Sequence, residues 1–295
     1  MRKSGFVALL GRPNVGKSTL LNRILGAKVA IVSRKPQTTR DRIAGILTDD
    51  RGQVVFLDSP GIHRARRALN EHMVATAARI AGEADIVVHV VDDRRGDGGE
   101  EESLVRGIVS QAAVPRVLVV NKADRMGADG SAARRAELMA SGLYKEGFAV
   151  SATRGSGVAE LVSFLFGTLP EGPAFYPEDD LTDLPMRFIA KEVIREKLFQ
   201  YLDAELPYSV AVAIEEYRED ADKGLTRIRA EIGVERESQK GIVIGRGGSM
   251  LKMIGTAARL ELEKETGERV YLDLFVKVEK DWSRNETKLR RLGYG

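Results

Sequence analysis

The segment Gly11-Arg12-Pro13-Asn14-Val15-Gly16-Lys17-Ser18 constrains this chain more than any other stretch. It has the form G-x-x-x-x-G-K-[ST], and it joins the apolar run Phe6-Val7-Ala8-Leu9-Leu10 to an amphipathic stretch over residues 18–25. A strand that turns through glycines into a helix points several backbone N–H groups at one spot, and the helix start adds its positive end there. Such a loop cradles phosphate. Lys17 brings a cation to the β- and γ-phosphates, Ser18 offers its hydroxyl oxygen to Mg²⁺, and Thr19 follows on the helix. A nucleoside triphosphate is therefore expected at residues 11–18.

The rest of the first half fits a fold that presents such a loop. Val54-Val55-Phe56-Leu57, Ile86-Val87-Val88-His89-Val90-Val91, Val117-Leu118-Val119-Val120 and Phe148-Ala149-Val150 are continuous apolar runs, the pattern of strands covered on both faces. Amphipathic stretches over residues 69–82, 103–111, 132–140 and 158–169 alternate with them. The expected fold is α/β, a doubly wound and mostly parallel sheet over residues 1–170, with ligands at the C-terminal ends of its strands.

A Pro- and Gly-rich stretch, residues 171–186, reads as a linker. Residues 187–295 follow a different order: helix, strand, strand, short helix, helix, strand, which implies a smaller α+β domain with a C-terminal tail. A length of 295 residues suits two domains. There is no cysteine, which excludes disulfides and Cys-based zinc sites and suits a cytoplasmic protein. No apolar run reaches the roughly 20 residues of a membrane span, and the N-terminus lacks the marks of a signal peptide. With 46 basic and 43 acidic residues the charge balance does not bear on nucleic acid; clustering of the basic residues does.

Three segments select the nucleotide. Asp58-Ser59-Pro60-Gly61 ends one strand; the carboxylate can hold Mg²⁺ through water and the Gly61 N–H can meet a γ-phosphate. Asn121-Lys122-Ala123-Asp124 ends another. Guanine carries N1–H and an exocyclic amine side by side, so one aspartate accepts from both, an asparagine meets N7, and the lysine stem lies along the base. Ser151-Ala152-Thr153 offers a backbone N–H to guanine O6. In this order, each at a strand's end, the segments resemble the translation-factor-related class of small GTPases, which implies GTP hydrolysis with Mg²⁺. Pro36-Gln37-Thr38-Thr39-Arg40-Asp41 resembles that class's first switch, with Thr39 favoured as the Mg²⁺ ligand that senses the γ-phosphate. Lys17, Thr39 and Gly61 are thus the expected catalytic set.

Two positions modify that expectation. Ile62 stands where many GTPases carry a water-positioning glutamine, so slow intrinsic hydrolysis is expected, with His63 either a base or a solvated loop residue. In related GTPases an asparagine at the position of Asn14 helps bind K⁺; here it either does so or merely stabilises the loop.

In the second domain, Ile242-Val243-Ile244-Gly245-Arg246-Gly247-Gly248 holds a G-x-x-G turn between helical segments. KH modules clamp about four nucleotides on such a loop. The element order matches the type II KH arrangement, and Arg236, Lys240, Arg246 and Lys252 flank the loop. These four, with Ile244, Gly245, Gly247 and Gly248, are the candidate RNA contacts. A GTPase domain followed by this unit, with Glu205-Leu206-Pro207-Tyr208-Ser209-Val210 between and Leu292-Gly293-Tyr294-Gly295 at the end, closely resembles the bacterial Era family over nearly the whole chain. The resemblance implies GTP and GDP as ligands, binding to the 3′ end of 16S rRNA, a role in assembly of the small (30S) ribosomal subunit, and a cytoplasmic protein partly associated with the inner face of the membrane; the sequence offers no reason to expect stable oligomers, so a monomer is expected. Outside the motifs, Arg64-Ala65-Arg66-Arg67 and the group Arg284, Lys288, Arg290 and Arg291 either contact RNA or are solvated basic surface, while Arg94-Arg95 and Glu100-Glu101-Glu102 are expected to be solvated.

Overall fold

Among the described residues of the first 170, six strands and five helices largely alternate, as expected from runs that are apolar on both faces. The computed structural model describes residues 2–32, 40–62, 68–93 and 99–292. β1 (Lys3–Leu10) runs into the cradle and α1 (Lys17–Leu25); β2 (Ile43–Asp49) and β3 (Gly52–Asp58) form a hairpin. Then come α2 (Ala68–Glu83), β4 (Ile86–Val91), α3 (Gly99–Gln111), β5 (Arg116–Val120), α4 (Ala123–Met139), β6 (Glu146–Ala149) and α5 (Val158–Thr168). The sheet order is β2-β3-β1-β4-β5-β6, with only β2 antiparallel to its neighbour.

Helices cover both faces of this sheet. Ala77, Ile80 and Ala81 of α2 and Val105 and Val109 of α3 share one core with Ala8, Leu10, Val55, Leu57, Val87 and Val91. On the other face α1 packs against β2 and β3, and α5 against β1 and α1. β3 and β4 are buried along their whole length, and β1 is buried over its last four residues. That packing leaves β1, β3, β4 and β5 ending together on one side, where the loops that follow them meet.

β2 was not expected. Gly45 lies in its middle because Leu21 and Leu25 of α1 press against it; a Cβ there would sit 2.7 Å from both side chains. A glycine inside a strand removes the local strand signal, and packing against α1 restores the strand. The Pro- and Gly-rich stretch read as a linker is likewise held. Buried Gln53 accepts from the backbone N–H of Phe175 (2.8 Å) and Tyr176 (3.0 Å) and donates to Tyr176 O (2.9 Å). Ile46 N donates to Leu181 O (2.9 Å), and Phe175 stacks on Phe6 with ring centroids 4.7 Å apart. The chain divides into two compact units after Asp183, so residues 171–183 belong with the sheet.

In the second unit α6 (Met186–Tyr201) precedes β7 (Val210–Asp220), β8 (Leu225–Val234), α7 (Glu237–Ile244), α8 (Ser249–Thr266), β9 (Arg269–Val278) and α9 (Glu286–Arg291). The sheet is β7-β8-β9, antiparallel then parallel. Its core draws Ala190, Val193, Ile194 and Leu198 from α6, Ile228, Ala230 and Ile232 from β8, and Ile254, Ala258 and Leu262 from α8 at helical spacing. Trp282 is fully buried beside the sheet, its indole N–H donating to Ser209 O at 3.0 Å. Among the described residues no helix is long and apolar enough to cross a membrane.

Candidate nucleotide and nucleic-acid sites

The cradle closes on itself through its own lysine. Lys17 is buried, and its ammonium donates to the carbonyls of Gly11 (3.0 Å) and Arg12 (3.2 Å). Burial pushes that ammonium down to about 8, with the charge of Asp58 acting the other way. Gly16 has φ +98, and a Cβ there would meet Asn121 Nδ2 at 2.3 Å, so only glycine fits this bend. Ser18 Oγ donates to Asp58 Oδ2 at 2.6 Å, and Asp58 is fully buried. Hydroxyl and carboxylate oxygens side by side are the hard donors that Mg²⁺ takes. The residues present therefore fit that ion.

The base segments converge on the cradle from β5 and β6. Asn121, nearly buried, donates from Nδ2 to Val15 O (2.8 Å) and accepts at Oδ1 from Ala152 N (3.0 Å). One side chain thus ties together the cradle, its own loop and the Ser151-Ala152 loop. Of the backbone donors in Ser151-Ala152-Thr153, the Ala152 N–H goes to Asn121. Lys122 donates to Asn14 O at 2.8 Å. Asp124 is exposed and accepts from Ser151 Oγ at 2.6 Å, a hydrogen bond that holds its carboxyl below the usual range. Between these groups lies a cavity of about 690 Å³, lined by Asn14, Gly16 and Thr19 on one side and by Asn121, Lys122, Asp124 and Ala152 on the other. Its size suits a nucleotide.

Several expected contacts sit elsewhere. The Arg12 guanidinium faces away from the cradle: Nη2 donates to Asp92 Oδ1 at 3.3 Å and Nε lies 2.8 Å from Glu102 Oε2. Glu102, read as a solvated helix-start charge, is buried, because it stands on the inward side of the first turn of α3. Burial would raise its carboxyl; the His89 contact and the Arg12 and Arg106 charges more than offset this and hold it low. His89 is fully buried in β4, its Nε2 3.0 Å from Glu102 Oε1 and its Nδ1 2.7 Å from Tyr144 Oη. Sequence reading missed Asp92, His89 and Tyr144, because nothing local marks a polar residue that pairs across the fold.

Ile62 turns its side chain into the core and gives its N–H to Gly11 O at 3.3 Å. Ser59 is spent on Leu9 O, to which its hydroxyl donates at 2.7 Å. Pro13 backs Gly61, where a Cβ would come within 2.8 Å of the Pro13 Cα. Ala123 opens α4, its N–H on Val150 O at 3.0 Å. Thr39 and the rest of residues 33–39, His63 with the basic residues 64–67, and Arg94-Arg95 lie outside the described residues.

In the second unit α7 ends at Gly245 (φ +74), a single turn over Arg246–Gly248 follows, and α8 starts at Ser249. Arg236, Arg246 and Lys252 are exposed, Lys240 and Ile244 partly so. Of the apolar triplet before the turn only Val243 is fully buried; Ile242 on α7 is 56% exposed and Met253 on α8 is 43% exposed. Cations around an apolar surface and a small-residue turn suit a strand with charged backbone and apolar bases.

Residues 6–122 match the family described as 50S ribosome-binding GTPase, and residues 205–283 match the KH domain. The GTPase Era of Geobacter metallireducens is 48% identical over 292 residues, 99% of this chain and 98% of that one. The chain belongs to the Era family of GTPases. It is therefore a GTPase, with a P-loop sheet followed by a KH domain. The GTPase Era of Carboxydothermus hydrogenoformans is 45% identical over 99% of this chain and 98% of its own. A crystal structure of Era with MgGDPNP and nucleotides 1506–1542 of 16S ribosomal RNA is 38% identical and covers 100% of both chains at a TM-score of 0.95. An Aquifex aeolicus Era variant bound to GDP and AlF₄⁻ is 39% identical over 99% of both chains, also at 0.95.

Proposed function

We propose that this Era-family GTPase is a switch that binds the 3′ end of 16S rRNA on its KH unit and assists maturation of the small (30S) ribosomal subunit. The observation that carries this is the likeness, end to end, to an Era structure holding both a GTP analogue and that RNA. The G-x-x-G turn with its exposed cations and apolar shoulder supports it independently.

In this reading Lys17 leaves its loop carbonyls for the β- and γ-phosphates, and the backbone of residues 11–18 wraps them. Ser18 and Asp58 hold Mg²⁺, joined by Thr39; the ion neutralises phosphate charge when bound. The Gly61 N–H takes a γ-phosphate oxygen. Asp124 accepts from both guanine donors, with Asn121 on N7. Hydrolysis is in-line attack of water on the γ-phosphorus, breaking its bond to the bridging oxygen and leaving GDP and phosphate. Because Ile62 is packed in the core and carries no polar group, it cannot orient that water, which fits a slow intrinsic rate. Residence in the cytoplasm and contact with the membrane's inner face rest on the family resemblance alone.

The switch is tested by measuring affinity for an RNA carrying the 16S 3′ end with a GTP analogue, with GDP and without nucleotide. Affinity is expected to differ severalfold between the nucleotide states. Identical affinities would leave an RNA-binding protein whose nucleotide is structural.

A further inference from the structure

We propose that Asp92 is a positioning residue, one that locks the base-recognition loop to the phosphate cradle and so sets discrimination among purine nucleotides. The inference rests on the guanine-site reading above.

Asp92 directly follows β4 and is 1% exposed. Its two oxygens serve two different loops. Oδ1 accepts from Arg12 in the cradle (3.3 Å), and Oδ2 accepts from Lys122 in the base loop (2.9 Å). Lys122 also donates to Asn14 O, so the same ammonium holds the far side of the cradle. Asn14 and Lys122 both have φ 63, a left-handed conformation that asparagine tolerates but lysine holds only under constraint. One buried carboxylate thus ties the constrained turn at Lys122 to the cradle. Behind Arg12, Glu102 holds the guanidinium from the other side and is itself met by His89.

The consequence falls on Asp124. It lies two residues beyond Lys122, at the exposed mouth of the cavity, and Ser151 is its partner there. A small relaxation of the Lys122 turn moves the Asp124 carboxylate, and hydrogen bonds to a rigid base lose strength steeply with misplacement. Guanine and hypoxanthine differ by one exocyclic amine, which is a donor to Asp124. Their ratio of affinities reads the placement of that carboxylate directly.

The test is Asp92→Asn in the full chain, stripped of nucleotide, with dissociation constants for GDP and IDP and steady-state GTP turnover. The amide removes the charge between two cations and turns a donor toward one of them. GDP affinity is expected to fall by about tenfold or more, with a smaller loss for IDP, so that the GDP:IDP ratio narrows. KM for GTP rises in parallel, while kcat at saturation stays within about twofold. Glu102→Gln is the comparison: it loosens Arg12 without touching Lys122, and it should lower the melting temperature yet keep the ratio. An unchanged ratio in Asp92→Asn, or equal narrowing in both variants, overturns the proposal. Should Asp92→Asn fail to fold, Asp92→Glu keeps the charge on a stem one methylene too long and is held to the same two outcomes. A wild-type protein that does not prefer GDP to IDP would overturn the guanine-site reading itself; a wild type that discriminates, with an Asp92 variant that discriminates equally, overturns this inference alone.

Discussion

Spacing made the individual residues of the proposed nucleotide site legible, because a phosphate cradle needs its glycines, lysine and serine at fixed offsets along one turn. Lys17, Ser18, Asp58, Asn121 and Asp124 come together as that spacing requires. What spacing hid is where a side chain goes when its partner lies elsewhere in the chain. Arg12 lends its backbone to the cradle, while its guanidinium pairs with Asp92 and Glu102, 80 and 90 residues away. Asp124 carries the sharpest prediction at this scale. Asp124→Asn replaces a double acceptor by a group with a donor, which leaves guanine's N1–H or amine facing another hydrogen. Loss of two charge-assisted hydrogen bonds at about 1.5 kcal/mol each corresponds to about 100-fold weaker GTP binding. Xanthine presents a carbonyl where guanine has its amine, so XTP should bind the variant better than GTP does. Competition binding with the two nucleotides checks this, and an unchanged GTP affinity would remove Asp124 from the base site.

Among elements, the buried parallel strands were readable from their unbroken apolar runs, and the helices from their periodicity. β2 was not, since Gly45 interrupts it to make room for two leucines of α1. Nor was the strap over residues 171–183, whose turn-forming residues look alike whether the chain is free or, as here, tied to Gln53 and β2. In the proposed reading the turn between α7 and α8 is the element that decides RNA binding. A Cβ at Gly247 meets nothing within 4 Å, and its φ of +60 costs an aspartate about 1 kcal/mol. Gly247→Asp should therefore keep the fold, with a melting temperature within a few degrees. The added carboxylate sits where phosphate must approach, and RNA affinity should fall by about tenfold or more. Equal affinity in a filter-binding assay would remove the KH turn from the RNA site.

For the whole molecule, the change of rhythm near residue 170 announced two domains, and the structure places the division of compact units after Asp183. The reason for the offset is the strap, which contributes Phe175 and Tyr176 to the first unit. Among the described residues, the buried side chains of the second unit's main core come from residues 190–270. A fragment of Leu184–Gly295 should accordingly fold alone, with a cooperative thermal transition by circular dichroism and with RNA affinity indifferent to GTP or GDP. A fragment that stays unfolded would show that the KH unit depends on the preceding domain.

The chain's one tryptophan gives that fragment, and the full protein, a built-in optical label. Trp282 is shielded from solvent inside the second unit, with its indole bonded to the carbonyl of Ser209. Emission excited at the red edge of absorption, where tyrosines are dark, therefore reports on the KH unit only. The colour of that emission separates unfolding of the RNA-binding half from events at the nucleotide, with no dye attached.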